Sequence, residues 1–356
     1  MATETDRGGD DEVTLGEGDN VVIAGFGADT VITAGGSDII MGDNGEFNFD
    51  DQGVFVKAES TAIDQGGNDT INAGNGENRI IAGFGSDEVT TGSGSDVVIG
   101  DNGQVDLIDG VVRVIQSTDT EDATAGSDTI KVGSGFDRVI AGLGSDIVTS
   151  DSGNSHVIAD NGVLTYNANG ILTNAKSTET DLGGDDEVTL GEGDNVVIAG
   201  MGSDTVNTAN GEDIIVSDNG EISFEANGVL MQVKSTSLKL GGDDVINAGN
   251  GDNIVVAGFG SDEVTTGSDN DVIIGDNGQI DLVSGVIRSM QSTDSVDATA
   301  GSDNIKSGTG FDRIIAGLDS DIVMSDSGNS HVIADNGILN YNAQGVLVRA
   351  RTMEQT

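Results

Sequence analysis

The sequence has no Cys, no Pro and no Trp, only 3% aromatic residues, and only 14 Lys and Arg. Without Cys, neither a disulfide framework nor a thiolate metal site is possible. Those few cations face 62 Asp and Glu, leaving a formal charge of −48, so nothing in the chain could replace the counterions of a nucleic acid. Nucleic acid is therefore excluded as a direct partner, and an anionic membrane surface is disfavoured on the same ground. No apolar run approaches the roughly 18 residues of a membrane helix and no signal peptide opens the chain, so no membrane insertion is expected. Low aromatic content with high net charge also fits intrinsic disorder, a reading that the rest of the sequence has to overcome.

What is abundant is glycine, 56 residues of it, and repetition. The string GGDDEVTLGEGDNVVIAG occupies 8–25 and returns unchanged at 183–200, and GNSHVIADNG occupies 153–162 and 328–337. Both offsets are 175 residues, so two long repeats are expected, 1–177 and 178–356, in one continuous solenoid. Asp-Asn-Gly begins at 43, 101, 160, 218, 276 and 335, marking six units of about 58 residues. Within each unit lie four nine-residue blocks, 24 in all, each with Val or Ile two residues after a fixed position, from Val13, Val22, Val31 and Ile40 to Val332. That fixed position holds 18 Asp, four Asn (Asn20, Asn78, Asn195, Asn253) and two Ser (Ser155, Ser330). Two residues before it stands Gly in 22 blocks, the exceptions being Asp269 and Asp319. Disorder would not hold a β-branched residue in register 24 times, so the chain is ordered.

Glycine lets the backbone turn through positive φ, and the Val or Ile begins a short strand with its side chain pointing inward. Two blocks make a coil of about 18 residues, and stacked coils form two parallel sheets with strands about 4.8 Å apart. The expected fold is thus all-β, a parallel β-roll or β-solenoid of nonapeptide repeats in six units; Gly is too frequent for helix. The core of such a roll is thin for the charge it must hold together. After each Asp-Asn-Gly come about 20 residues of another kind, such as 46–61 and 163–178, with alternating apolar residues around a Gly turn. These hairpin-like inserts read either as hairpins or as one enlarged coil. The division of about 58 residues into two coils of about 18 and one of about 22 favours the enlarged coil.

The block resembles the hemolysin-type calcium-binding repeat of RTX proteins, G-G-x-G-x-D-x-U-x, on stretches such as GSGFDRVIA (133–141) and GFGSDEVTT (83–91). The first Gly of that pattern is usually replaced here, as at Ala24, Ala82, Thr91 and Ala141. The resemblance covers nearly the whole chain apart from the inserts. It implies a repeat region of a giant surface protein or adhesin, several bound calcium ions, type I secretion to the cell exterior, and the strand-preceding Asp side chains with turn carbonyls as ligands. Those aspartates are Asp11, Asp29, Asp38, Asp69, Asp87, Asp96, Asp128, Asp137, Asp146, Asp186, Asp204, Asp213, Asp244, Asp262, Asp271, Asp303, Asp312 and Asp321. Calcium suits them on chemical grounds, being a hard cation that takes about six to eight oxygens in flexible geometry. Blocks 18 residues apart share an edge of the roll, stacking Asp11 near Asp29, Asp69 near Asp87 and Asp128 near Asp146. The Asn20/Asp38 and Asn78/Asp96 edges carry fewer charges and are expected to bind more weakly. A single such Asp would read as a turn former; 18 in register point to the ion. Asp43, Asp101, Asp160, Asp218, Asp276 and Asp335 of Asp-Asn-Gly either cap the ion column or shape the exit turn.

Catalysis finds little support. His156 and His331 stand beside Ser155 and Ser330 with Asp160 and Asp335 nearby, but neighbours on a strand point to opposite faces, so Ser and His do not meet. Both histidines are expected at surface positions, and two cannot build a zinc site. Thr90, Thr91, Thr265 and Thr266 recur once per long repeat rather than once per coil, which argues against an ice-binding face. The expected function is a non-catalytic, calcium-folded stiff rod, the spacer of an adhesin or a surface-layer element. The alternatives are a self-assembling filament subunit and the calcium-binding tail of a secreted hydrolase or toxin. Residues 2–6 match 177–181 in phase, and no terminal cap is recognisable, so association end-to-end or side-by-side is expected for the filament reading.

Overall fold

The computed structural model describes residues 8–121, 126–294 and 300–353, so the in-phase segment 2–6 lies outside the described residues. These residues form 36 strands and no helix, arranged in three sheets of twelve. Two sheets are parallel and face each other across the interior of a roll. The first runs from Glu12–Thr14 to Ile322–Met324, the second from Val21–Ile23 to His331–Ile333. Each half-coil is one short strand and one Gly-rich turn, as the nine-residue period requires. Equivalent residues stack in register, Val31 on Ile71 and Ile71 on Val89 in the first sheet, Ile40 on Ile80 and Ile80 on Val98 in the second. All six are fully buried in one apolar column.

Turn glycines are demanded by the stacking. Gly94 has φ +152°, and a Cβ there would lie 1.8 Å from the carbonyl oxygen of Gly76 in the preceding coil. The two blocks that lack this Gly hold an L residue at positive φ instead, Asp269 at 91° and Asp319 at 74°, and so carry local strain.

The inserts are hairpins, not enlarged coils, and together they build the third, antiparallel sheet. Gly103–Ile108 pairs with Val111–Ser117, and neighbouring hairpins join through Val105 opposite Ala58 and Ile115 opposite Leu164. Asp109 and Gly110 both have positive φ, 53° and 76°, the backbone of the tight turn whose twist suits a two-residue hairpin. This sheet covers the outer face of the second parallel sheet. Ile99, Ile140 and Ile158 pack there with Val105, Ile115 and Leu164 in a second apolar layer distinct from the interior column. The core is therefore two layers deep rather than thin. Strand composition carries the reason: the second sheet reads Val-Val-Ile at 97–99, apolar on both faces, while the first reads Glu-Val-Thr at 88–90 and keeps one face in solvent.

Candidate metal centres

The first edge of the roll, where the chain enters the first parallel sheet, carries an unbroken column of twelve aspartates. They are Asp11, Asp29, Asp69, Asp87, Asp128, Asp146, Asp186, Asp204, Asp244, Asp262, Asp303 and Asp321. At each step the backbone N–H of one donates to Oδ1 of the next at 2.7–3.0 Å, including the steps that span a hairpin. Each N–H thus fixes the rotamer of the following aspartate and leaves its second oxygen uncommitted. Across both edges, Oδ2 is buried without a hydrogen-bond partner at fifteen positions: Asp29, Asp38, Asp69, Asp87, Asp96, Asp128, Asp137, Asp146, Asp186, Asp204, Asp213, Asp244, Asp262, Asp303 and Asp321. A buried carboxylate oxygen with no partner is costly and calls for a cation or a proton. Burial accordingly pushes Asp69, Asp128, Asp204 and Asp303 up to about 7 and Asp244 up to about 8.

The donor set fits a hard ion. Among the described residues no three His, Cys, Asp or Glu side chains converge, so a cation here would draw on stacked carboxylates together with turn carbonyls. Those carbonyls are aligned toward the next coil: a Cβ at Gly85 would lie 2.4 Å from Gly67 O, and at Gly144 1.9 Å from Gly126 O. All-oxygen coordination from side chains and main chain is the habit of calcium.

The second edge differs. Its column runs Asn20, Asp38, Asn78, Asp96, Asp137, Ser155, Asn195, Asp213, Asn253, Asp271, Asp312, Ser330. Nδ2 of Asn20 donates to the Gly16 and Gly18 carbonyls and to Asp38 Oδ1, at 3.3, 2.6 and 2.8 Å. Asn78 repeats this with Gly74, Gly76 and Asp96, and Asn195 with Gly193 and Asp213. Hydroxyls serve at Asp271, whose Oδ2 accepts from Thr266, and at Asp312, whose Oδ2 accepts from Ser307, Ser325 and Ser330. This edge satisfies much of itself without an ion.

The Asp-Asn-Gly aspartates stand beside the first column and clamp coils together. Asp101 Oδ1 accepts from Gly126 N–H at 3.2 Å and Oδ2 from Leu143 N–H at 2.6 Å. Asp43, Asp160 and Asp276 make the equivalent pairs, and Asp218 does so with Gly242 and Phe259. Burial, with the neighbouring carboxylate of Asp69, pushes Asp43 up to about 8. Asp335, at the last coil, is exposed.

His156 is not at the surface: it is buried under the hairpin sheet, its ring 4.7 Å from that of Phe136 and its Nδ1 3.0 Å from the Tyr166 hydroxyl. Burial and the Arg138 guanidinium lower it to about 3. Ser155 Oγ instead meets Ser150 Oγ at 3.4 Å, so Ser, His and Asp do not converge. The surface expectation failed because nothing in a two-sheet roll would cover that face. Thr91 and Thr266 are buried, leaving only the preceding threonines on an open face.

A family model described as the RTX calcium-binding nonapeptide repeat (four copies) matches residues 7–46, 63–98, 122–157, 182–215, 240–264 with 247–279, and 297–332. The matched stretches contain every column aspartate, whereas Asp101, Asp160, Asp218 and Asp335 fall outside them. No curated protein matches the chain.

Proposed function

The chain belongs to the RTX calcium-binding nonapeptide repeat family, and from that premise we propose that it serves outside the cell as a stiff rod whose folding is set by calcium. Calcium-binding structural repeats account for the roll itself. The reading beyond that, a spacer within a surface adhesin or surface layer, draws support from the shape of the fold: twelve coils in continuous sheets make a rod of about 5–6 nm at about 4.8 Å per strand. The observation that carries it is the set of fifteen buried, partnerless Asp Oδ2 atoms in register. The aspartates of the first edge, with Asp38, Asp96, Asp137, Asp213, Asp271 and Asp312 of the second, are the proposed ligands together with turn carbonyls. Bound calcium would supply positive charge to stacked carboxylates that otherwise repel one another.

The secretion route follows the same logic. At low calcium a chain of −48 charge resists compaction, which suits export in an unfolded state, and binding to the folded form alone then ties stability to the calcium outside. Far-UV circular dichroism of chelator-treated protein, titrated with calcium and with magnesium as control, tests the reading. A coil-to-β transition specific to calcium is the expected outcome. A β spectrum indifferent to chelator would reduce these aspartates to turn formers.

A further inference from the structure

A groove of about 910 Å³ runs along the second edge of the roll, between the second parallel sheet and the tips of the hairpins. Its floor follows a row of register partners on the hairpin-facing side of that sheet: His156, Val196, Ile214, Ile254, Val272 and Arg313. Five strand steps of about 4.8 Å make the row about 24 Å long. The hairpin turns at Gly170, Gly228 and Gly285 form the opposite lip. Aromatic clusters close both ends. At one, the Phe136 ring meets His156 edge-on; at the other, the Arg313 guanidinium lies 4.6 Å from the centre of the Phe311 ring and 5.3 Å from that of Tyr341. Between them Ile214, Ile254, Phe224 and Leu230 are only partly buried, at the mouth of the second apolar layer.

Differences between the two long repeats shape this groove. Ile254 stands where the first repeat has Arg79, and Leu230 where it has Phe55. Phe55 is buried, with the Phe47 and Phe49 rings 6.2 and 5.7 Å away, and Arg79 Nη2 lies 4.0 Å from the Glu77 carboxylate. The second repeat replaces that bulk with smaller aliphatic side chains and removes the base. Glu77 has its counterpart in Asp252, whose Oδ1 accepts from Asn270 N–H at 2.8 Å but which, among the described residues, has no cation in ion-pair reach. Asp194 and Glu212 continue the same rim on the two preceding coils, Glu212 N–H donating to Asp194 Oδ1 at 2.9 Å, and all three acids are exposed. Among the described residues, Arg313 is the one Lys or Arg that lines the groove, and its charge already rests against two rings.

An apolar floor with carboxylates along one lip selects a ligand that carries both apolar groups and several positive charges. We infer that the groove binds a basic amphipathic peptide segment of another protein, about seven residues long if extended at about 3.4 Å per residue. Its apolar side chains would cover Ile214, Ile254, Phe224 and Leu230, and its Lys or Arg side chains would meet Asp194, Glu212 and Asp252. A second copy does not suit, because a chain of −48 charge is repelled by such a rim. A small amine brings one charge where the rim offers three. The rod would thus hold a partner along its flank, at a place that its second long repeat provides. The inference rests on the fold and on the comparison of the repeats, not on the identity of the ion.

Fluorescence anisotropy of the full chain in saturating calcium, with labelled octapeptides, tests this. A peptide of alternating Leu and Lys is the probe; alternating Leu and Glu, and alternating Ser and Lys, are its controls. The Leu-Lys peptide should bind about tenfold more tightly than either control, and less tightly as salt rises. Ile254→Arg/Leu230→Phe restores the residues that the first repeat carries in the same fold, and should abolish binding with an unchanged circular dichroism spectrum. Asp194→Asn/Glu212→Gln/Asp252→Asn should weaken binding about tenfold and remove most of its salt dependence. Asn serves the backbone there as well as Asp does, since Asn154 Oδ1 accepts from Asp194 N–H at 3.0 Å. Equal binding of the Ser-Lys peptide would overturn the inference, reducing it to diffuse attraction by the −48 charge. Equal binding to Ile254→Arg/Leu230→Phe would overturn it too, by placing the peptide elsewhere. Binding of octylamine without binding of the Leu-Lys peptide would assign the groove to a small amphiphile instead. Absence of any binding up to hundreds of micromolar, in protein that is folded by circular dichroism, would sink the docking site and leave the calcium reading intact.

Discussion

Asn78 closes a turn in which the neighbouring edge of the roll leaves an oxygen without a partner. Its amide nitrogen reaches the Gly74 and Gly76 carbonyls and Asp96 Oδ1 at 3.3, 3.3 and 3.0 Å, so two N–H donors supply to three oxygens the positive potential that a cation would otherwise bring. Asp69 and Asp87, on the other edge, have no such group and keep buried Oδ2 atoms unpaired. The difference between Asn and Asp at one register thus decides whether a turn is self-sufficient or waits for an ion. Replacing the amide by a carboxylate tests this. Asn78→Asp would turn a donor into an acceptor facing three acceptors and should cost about 1–3 kcal/mol in limiting calcium. Saturating calcium should recover most of that loss, because the substituted turn then resembles its neighbours. Thermal unfolding of both proteins in limiting and in saturating calcium makes the comparison; an equal loss in both conditions would show that the ion does not reach the second edge.

At the scale of elements, the hairpin sheet turns a thin roll into a sandwich. Leu164 and Ile115, register partners across two hairpins, are fully buried against the second parallel sheet. That layer is made by ordinary apolar burial and offers no ligand to an ion. Leu164→Ala should therefore destabilise by about 2–4 kcal/mol through the cavity it leaves, and by a similar amount in limiting and in saturating calcium, as measured by denaturant midpoint. A loss that vanishes in saturating calcium would mean that the sheet docks only as a consequence of ion binding. Both parallel sheets were legible in the sequence because Val or Ile recurs at a fixed spacing and the period itself specifies a coil. The third sheet was half legible. Asp109-Gly110 and its equivalents mark hairpin turns, but dividing a unit by length alone favoured an enlarged coil. The deciding signal was Val-Val-Ile at 97–99: a strand apolar on both faces needs cover on both, and only a further layer supplies it. The same oversight placed His156 at the surface. The aspartate columns were legible by register, whereas the commitment of each Oδ1 to a backbone N–H, and the way Asn amides take over the second edge, depend on side-chain geometry that spacing does not encode.

For the whole molecule, the buried carboxylates make protons and calcium competing answers to one electrostatic problem. Burial pushes Asp128, Asp204 and Asp303 up to about 7, Asp244 up to about 8 and Asp276 up to about 9, each from an ordinary value of 3.8. Proton affinity is then higher in the folded state than in the unfolded one. Their contribution to stability is complete below about pH 4 and is lost as pH rises through about 7 to 9. This is opposite in sign to the usual salt-bridged carboxylate, which loses stability on acidification. In chelator, where the chain is expected as a coil near neutral pH, β content by far-UV circular dichroism should therefore rise as pH falls from 8 to 5. In saturating calcium the pH dependence of the denaturant midpoint should flatten or reverse, since protons then displace an ion that was already neutralising the column. Series at pH 5, 6, 7 and 8, each with calcium and with chelator, separate the two cases. β content in chelator that climbs with pH over this range would mean that the column is wet and individually solvated, and that the −48 charge acts on the fold only as diffuse repulsion. If acid and calcium each fold the chain and neither adds to the other, both act on the same oxygens, and the roll is a rod whose rigidity depends on how its aspartates are neutralised.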